Sequence, residues 1–293
     1  MKNPHLLKYR IVALLILYSV GTYAMDSPTL TLRKNDQIIK VLTQGEIAQI
    51  KDGVVSVTVD NPTDSKVHTY DGTSLAVLLD HVFGNSWKGF DLVKFITSDG
   101  YQPVIPTDKI IAGSGVISTG EKGQTGFLKL LRSNEETVDP GPFYLVWENI
   151  KDKGNNEDPW LSWPWQITGI ELTSLSREFP HSAPPALSGE VAKAGYLAFR
   201  QHCIKCHSIN GDGGAVGPEL NYPVNVTEYW KAEWLARFIA DPQRIRANSK
   251  MIPFYRDMKN REAAISTIIE YLKVMKDNKL HDKKYNPADQ ESR

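Results

Sequence analysis

Cysteine is almost absent. The 293 residues hold two, Cys203 and Cys206. So low a count excludes the disulfide framework that staples small secreted domains and a four-cysteine structural zinc site. Charge of either sign is also missing in the sum, because 34 Lys and Arg balance 34 Asp and Glu. No basic footprint for nucleic acid follows from that balance. Long apolar runs are lacking too. The clearest, Ile11 to Val20, falls well short of the roughly 20 residues that span a bilayer. No internal repeat is visible.

What is present is enough apolar and aromatic residue, 41% and 10%, to bury real cores. The length allows one large domain or two ordinary ones. At the start, Lys2, Lys8 and Arg10 precede the apolar run, and Thr22-Tyr23-Ala24 follows as a small-x-small cleavage site. Residues 1–24 are therefore expected to be a cleaved signal peptide rather than a retained anchor. The mature chain is then expected to be periplasmic, with no transmembrane segment and a formal charge near −3. Acidic residues are in excess from 25 to 187 and basic ones from Ser188 onward.

Both cysteines fall in Cys203-Ile204-Lys205-Cys206-His207. Cys-x-x-Cys-His is the attachment signature of a c-type haem. Each thiol can add to one vinyl group, and the following histidine can serve as proximal iron ligand. The competing readings are a redox dithiol, which does not need His207, and half a zinc site, which lacks two further soft ligands. One covalently attached haem c is the expected cofactor, with His207 as a metal ligand. Covalent attachment outside the bacterial cytoplasm agrees with export.

From 25 to 178 the chain reads as short strands with few helices. Leu30–Leu32, Ile38–Leu42, Val54–Val59, Leu92–Thr97, Phe127–Leu131, Phe143–Trp147 and Trp165–Leu172 have strand character, broken by turn residues such as Asp52-Gly53 and Asp99-Gly100. Thr73-Ser74 opens a helical stretch, Leu75–Phe83, closed by Gly84-Asn85. Trp160, Trp163 and Trp165 cluster beside Pro159 and Pro164. They are read first as packing of the incoming strand against the β core, and second as a patch for the haem domain or a partner. His68 and His81 are isolated and are read as ordinary side chains.

The succession Tyr70-Asp71-Gly72-Thr73-Ser74-Leu75, Ser98-Asp99-Gly100-Tyr101, Gly141-Pro142-Phe143-Tyr144-Leu145-Val146 and Ile167-Thr168-Gly169-Ile170-Glu171-Leu172 resembles the molybdopterin-binding domain of sulfite-oxidase-type proteins. The resemblance covers roughly 29–175 and implies that fold. Members that bind molybdenum supply a cysteine near the end of the strand at Val55–Asn61, and this chain has none there. A soft metal without thiolate ligation is poorly held, so no molybdenum cofactor and no catalytic residue are expected.

Phe179–Leu187, with Pro180, Pro184 and Pro185, reads as a Pro-rich, semi-rigid linker. Residues 188–278 then form the haem domain, and 279–293 a charged tail. Ser188 reads as an N-cap for a helix over Val191–His202, with Gly195 and Phe199 on one face. Ala263–Met275 is a second helix with Ile265, Ile268, Ile269 and Leu272 on its apolar side. Gly195-x-x-x-Phe199 before the attachment motif, Gly217-Pro218-Glu219-Leu220 after it, and Met251 near Pro253 after a helix ending at Asp241-Pro242 resemble class I c-type cytochromes. That resemblance implies close crossing of the two helices, with Tyr271 at the crossing. It also implies that the Pro218 carbonyl orients His207, and that Met251 supplies the sixth iron ligand. Met258, Met275, His281 or an open site are the alternatives.

The fold class expected is multidomain α+β: a β-rich, sulfite-oxidase-like domain followed by an all-α cytochrome c domain. The expected function is one-electron transfer between redox protein partners, with the first domain docking a partner. Lys205, Arg244, Arg246 and Lys250 are read as flanking an exposed haem edge. The alternatives are a haem oxidoreductase whose first domain binds a substrate or a cofactor other than molybdenum, or a redox sensor. An electron-transfer protein or the cytochrome subunit of an oxidoreductase fits better than a self-sufficient enzyme.

Overall fold

The computed structural model describes residues 27–132, 135–254 and 258–280. The expected signal peptide, His281 and nearly all of the charged tail lie outside them. Among the described residues no helix is long and apolar enough to cross a membrane.

The first region is built from β1 (Thr29–Lys34), β2 (Gln37–Thr43), α1 (Gln44–Ala48), β3 (Val54–Asn61), β4 (Lys66–Ser74), α2 (Leu75–Phe83), β5 (Leu92–Thr97), β6 (Val104–Pro106), α3 (Thr107–Ala112) and β7 (Gly115–Glu121). It continues through the two-residue strands β8 (Leu130–Leu131) and β9 (Thr137–Val138) to β10 (Tyr144–Trp147), α4 (Gly154–Glu157), β11 (Ile167–Thr173) and α5 (Leu175–Glu178). Five strands pair in the order β2-β1-β11-β5-β6 and four in the order β10-β7-β4-β3. Only β1 with β11 is parallel in these two sheets. The region is thus β-rich with mixed α/β content.

Alternation explains the layering. In β5 the pattern LVKFIT buries Val93 and Phe95, and in β1 Leu30 and Leu32 are buried, as expected where one face of a strand meets a core. These residues join Trp87, Phe143, Leu145, Trp147, Ile170 and the α2 leucines in one apolar cluster. A second cluster lies against the four-stranded sheet, with Val59, Tyr70, Tyr144 and Val146 buried and Trp163 and Trp165 packed on it. The structure differs from the expected strand set in several places, since β6 and β7 are not among the expected strands, and β7 pairs with both β10 and β4. Most of Phe127–Leu131 is unpaired. β4, whose Asp, Gly and Thr disguise it, is a full central strand. Gly72 there lets β7 approach, since a Cβ would sit 2.3 Å from the Ile117 carbonyl oxygen.

The second region holds α6 (Glu190–His202), β12 (Ser208–Ile209), β13 (Asp212–Gly213), α7 (Val226–Tyr229), α8 (Ala232–Ala240), α9 (Pro242–Ile245) and α10 (Arg261–Lys276). α6 begins after Gly189, with no side-chain cap, so Ser188 does not play the role expected of it. α6 and α10 cross at Gly195, where a Cβ would lie 1.9 Å from the Thr267 carbonyl oxygen. Only glycine permits that approach. Phe199 and Tyr271 meet beside it at 5.3 Å between ring centres.

The Pro-rich segment does not stand off as a spacer. Phe179 is buried in the helical region's apolar cluster, and the Asp212 carboxylate accepts the His181 and Ser182 amides at 2.6 and 2.7 Å. The Tyr271 hydroxyl donates to the Ser182 carbonyl. These tertiary bonds override the extended preference of the flanking prolines. The two regions also share apolar packing, because Leu92 of β5 and Val104 of β6 belong to the helical region's cluster.

Candidate haem-binding site

The site grows from the end of α6. Cys203 and Ile204 donate their amides to the Phe199 carbonyl, and Cys206 and His207 donate theirs to Cys203. These bonds fold the five residues into one tight turn that carries both sulfurs and the imidazole. The chain then reverses at Asn210-Gly211, both at positive φ (53° and 86°), between the paired β12 and β13. Asn-Gly suits a two-residue turn of this kind.

Three glycines behind this hairpin line the turn. A Cβ on Gly213 would be 2.4 Å from the His207 carbonyl oxygen, and one on Gly214 2.2 Å from that of Lys205. One on Gly217 would press into the His207 ring at 2.3 to 2.8 Å. The backbone is therefore laid directly against the attachment turn, as no other residue type would allow.

His207 is half-buried, and its Nδ1 lies 2.9 Å from the Pro218 carbonyl oxygen. A carbonyl only accepts, so Nδ1 carries the proton and Nε2 keeps its lone pair. Burial holds the imidazole pKa below its usual value, against the opposing effects of the Pro218 bond and of Glu219. A neutral ring oriented through its second nitrogen is the usual form of a metal-ligating histidine. Glu219 fixes the carbonyl's own position. Its carboxylate accepts the amides of Asn210, Gly211, Asn221 and Tyr222 at 2.9 to 3.2 Å. Buried Asn210, Asn221 and Asn225 continue the network to the Leu272 and Asn278 carbonyls of the C-terminal helix and its end.

Burial pushes the Cys203 thiol up to about 12 and the Cys206 thiol up to about 11. A reactive dithiol or a zinc thiolate requires the opposite shift. The surroundings suit uncharged sulfur, as in a thioether. The two cysteines are not joined to each other, and the described residues contain no cluster of three or more His, Cys, Asp and Glu fit for a metal ion.

Met251 is half-buried and packs against the helical region's apolar cluster, and so does Met258. Met275 is fully buried within that cluster. The Met251 loop is tied down at several points. Gln243 Nε2 donates to the Ser249 and Met251 carbonyls at 2.9 and 2.8 Å, and the Met251 amide donates to Ser249 Oγ at 3.3 Å. Arg261, at the start of α10, donates to the Phe254 and Ala240 carbonyls. Glu219, Asn221, Asn225, Gln243 and Arg261 were not singled out in the sequence. Asn225 carries a local signal, the Asn225-x-x-Glu228 capping box of α7, whereas the bonds of Asn225 to Leu272 and of Arg261 to Ala240 reach 47 and 21 residues along the chain.

Lys205 corrects the sequence reading. It is 8% exposed, with its ammonium donating to Ser162 Oγ of the first region at 3.1 Å, so it does not flank a solvent-facing haem edge. Arg244, Arg246 and Lys250 are exposed as expected, Arg246 lying over Trp230 and Phe238.

The donor set fits a covalently attached haem: two half-buried cysteines three residues apart, an oriented neutral imidazole, methionine sulfurs downstream, and a glycine-lined backbone. The strand end at Asn61, where the resemblance would place a cysteine, is occupied by a neutral polar cluster. The Asn61 amide donates to the Tyr70 and Tyr144 hydroxyls at 2.9 and 3.1 Å. Burial holds both phenols well above their usual pKa.

A family model for cytochrome c matches residues 192–276. Over 61 residues the chain is 34% identical to a protein of Cereibacter sphaeroides (strain ATCC 17025 / ATH 2.4.3) that is named as a subunit of nitric oxide reductase. That alignment takes in 21% of this chain and 40% of the relative, so the chain spans well under half of the curated relative it matches. The C-terminal part of this protein is a cytochrome c domain, which implies covalent haem, electron transfer and redox partners, and it follows a β-rich region of mixed α/β content.

Proposed function

We propose that the protein is a periplasmic monohaem cytochrome c that passes single electrons between redox proteins. In this reading Cys203 and Cys206 hold the haem, and His207 and Met251 ligate its iron. Bound there, haem supplies a one-electron Fe(III)/Fe(II) couple. His207 would present Nε2 to the iron, held in orientation by Pro218 and Glu219, and Met251 would supply the second protein ligand, so that water and small ligands would be kept out. The observation that carries the reading is the 2.9 Å contact between His207 Nδ1 and the Pro218 carbonyl, on a turn that also carries both sulfurs. Saturated His/Met ligation suits electron transfer over ligand activation.

Periplasmic placement is supported by the basic, apolar and small-residue succession of residues 1–24. Partner docking by the first region is supported by β2, an edge strand with Ile38, Ile39 and Val41 about half exposed. Such an edge offers unpaired backbone groups together with apolar side chains. Mass spectrometry and carbon monoxide titration of the purified protein test the reading. One haem that survives denaturation, and a reduced form indifferent to carbon monoxide, are expected. A chain without covalent haem, or one that binds the gas, contradicts it.

A second reading makes the protein the cytochrome subunit of a larger oxidoreductase. The relative named as a subunit of nitric oxide reductase favours it, as do the exposed apolar side chains Tyr229, Trp234 and Ile252, each 43% exposed or more. The native mass of the protein isolated from its source separates the two readings. A stable heteromer supports the second.

A further inference from the structure

Lys205 sits between the two sulfur-bearing residues, and the first region closes over it. The Gln102 amide donates to the Lys205 carbonyl at 2.9 Å, and the Ala215 amide donates to the Gly100 carbonyl at 3.0 Å. Two backbone bonds thus stitch the loop after β5 to both sides of the attachment turn. Gly100, at φ +86°, places its Cα against Ala215, where even an added Cβ would be in contact at 3.4 Å. A second cation strengthens the same contact. Arg200 of α6 lies over Trp160 of the first region at 5.5 Å, and over Phe179 and Tyr196 at 5.3 and 5.7 Å.

We propose that the β-rich region is a fixed cap on the haem-attachment turn, and that Lys205, held under the cap by Ser162, is a positioning residue that raises the haem's reduction potential. The physical reason is charge. Reduction of Fe(III) to Fe(II) adds one electron and removes one positive charge from the iron. A buried ammonium on the turn that carries the ligands therefore favours the ferrous form. Its effect is stronger where water is excluded, because charges are less screened there. The cap supplies that exclusion and fixes the ammonium on the Ser162 hydroxyl.

The inference rests on haem being bound as proposed above, and the test separates the two. Full-length, haem-loaded protein is titrated potentiometrically as wild type, Lys205→Gln, Lys205→Arg and Ser162→Ala, with absorbance and mass checked first. Lys205→Gln is expected to lower the ferrous-to-ferric ratio at a fixed potential about tenfold, equivalent to about 59 mV for one electron. Lys205→Arg, which keeps the charge, should stay near wild type. Ser162→Ala should shift the ratio about threefold in the same direction as the glutamine variant, by releasing the ammonium toward solvent. Equal potentials in wild type and Lys205→Gln overturn the proposal, and so does an equal fall in the glutamine and arginine variants. If Lys205→Gln does not retain haem, Ser162→Ala decides alone, and an unchanged potential overturns the proposal. Wild-type protein without haem refutes the underlying functional reading instead.

Discussion

The two halves of this molecule solve the problem of a core differently. In the β-rich half, side chains fill most of the interior, and Gly72 marks its closest backbone approach. Trp87, Trp147, Phe95, Phe143 and a dozen aliphatic residues are fully buried in one continuous cluster. In the helical half, the tightest places are occupied by what is missing. Gly195, Gly213, Gly214 and Gly217 all bring backbone or ring atoms to distances no Cβ would tolerate. Both methionines that pack at the cluster's margin stay half-buried. One half is organised around apolar volume, the other around close backbone approaches beside the Cys203–His207 turn. Stability should follow that division, so the sharpest tests perturb one half and watch the other.

The largest effect is expected from replacing both Cys203 and Cys206 by Ser. Haem should be lost from the denatured chain, and the helical half should lose its cooperative melting transition while the β-rich half keeps its own. Calorimetry with far-ultraviolet circular dichroism reads both. An unchanged helical transition would show that the division does not hold.

Glycine substitutions come next. Gly195→Ala drives a methyl into the Thr267 carbonyl, and overpacking of this kind costs about 3 kcal/mol. Denaturant melts should show that loss in the helical half only. Gly72→Ala meets the Ile117 carbonyl and should lower only the β-rich transition. Transitions that fall together in both variants would mean that the halves fold as one unit.

Asp212 provides a pH test of similar or smaller size. Burial pushes its carboxyl up to about 6 despite the two amides it accepts. The folded state therefore holds the proton more tightly than the unfolded state. The stabilisation is fully present below the ordinary aspartate range and is lost as pH rises through about 6. At about 1.4 kcal/mol per unit, the span is about 3 kcal/mol. The helical melting temperature should fall between pH 4 and 6, and Asp212→Asn should remove that part of the slope. A slope that persists in the variant assigns it to other groups.

The smallest effect is expected at the seam. Trp160→Ala removes the aromatic face beneath Arg200, worth about 1 kcal/mol. It should weaken coupling between the halves without shifting either core. Limited proteolysis near residues 180–187 reads that loosening.

Much of the helical half was legible because its signals are local. Cys203-x-x-Cys206-His207 fixes the attachment turn, Gly195 and Phe199 mark the crossing, and the apolar faces of α6 and α10 carry helical spacing. Pro218, to which the resemblance assigns an orienting role, has its carbonyl oxygen 2.9 Å from His207 Nδ1. The β-rich half was less legible. β4 hides behind Asp71, Gly72 and Thr73, whose value lies in letting a neighbouring strand approach. Trp163 and Trp165 pack on a β core as first read, whereas Trp160 turns to the helical half. The Pro-rich segment looked like a spacer because proline reports its backbone preference, while the groups that fasten it, Asp212 and Tyr271, lie 30 and more residues away. Lys205 looked like surface for the same reason, since Ser162 lies 43 positions from it. Asn210-Gly211 is a two-residue turn signal present in the sequence, and it joins β12 to β13.

The central claim, a single covalent haem ligated by His207 and Met251, is tested most directly by the visible spectra of the ferric and ferrous protein, compared between wild type and Met251→Ala. Low-spin spectra in both oxidation states of the wild type, converting to a high-spin, carbon-monoxide-binding form in Met251→Ala but not in Met258→Ala, are the predicted result. A wild-type haem that is already high-spin, or one that stays low-spin without Met251, would contradict it.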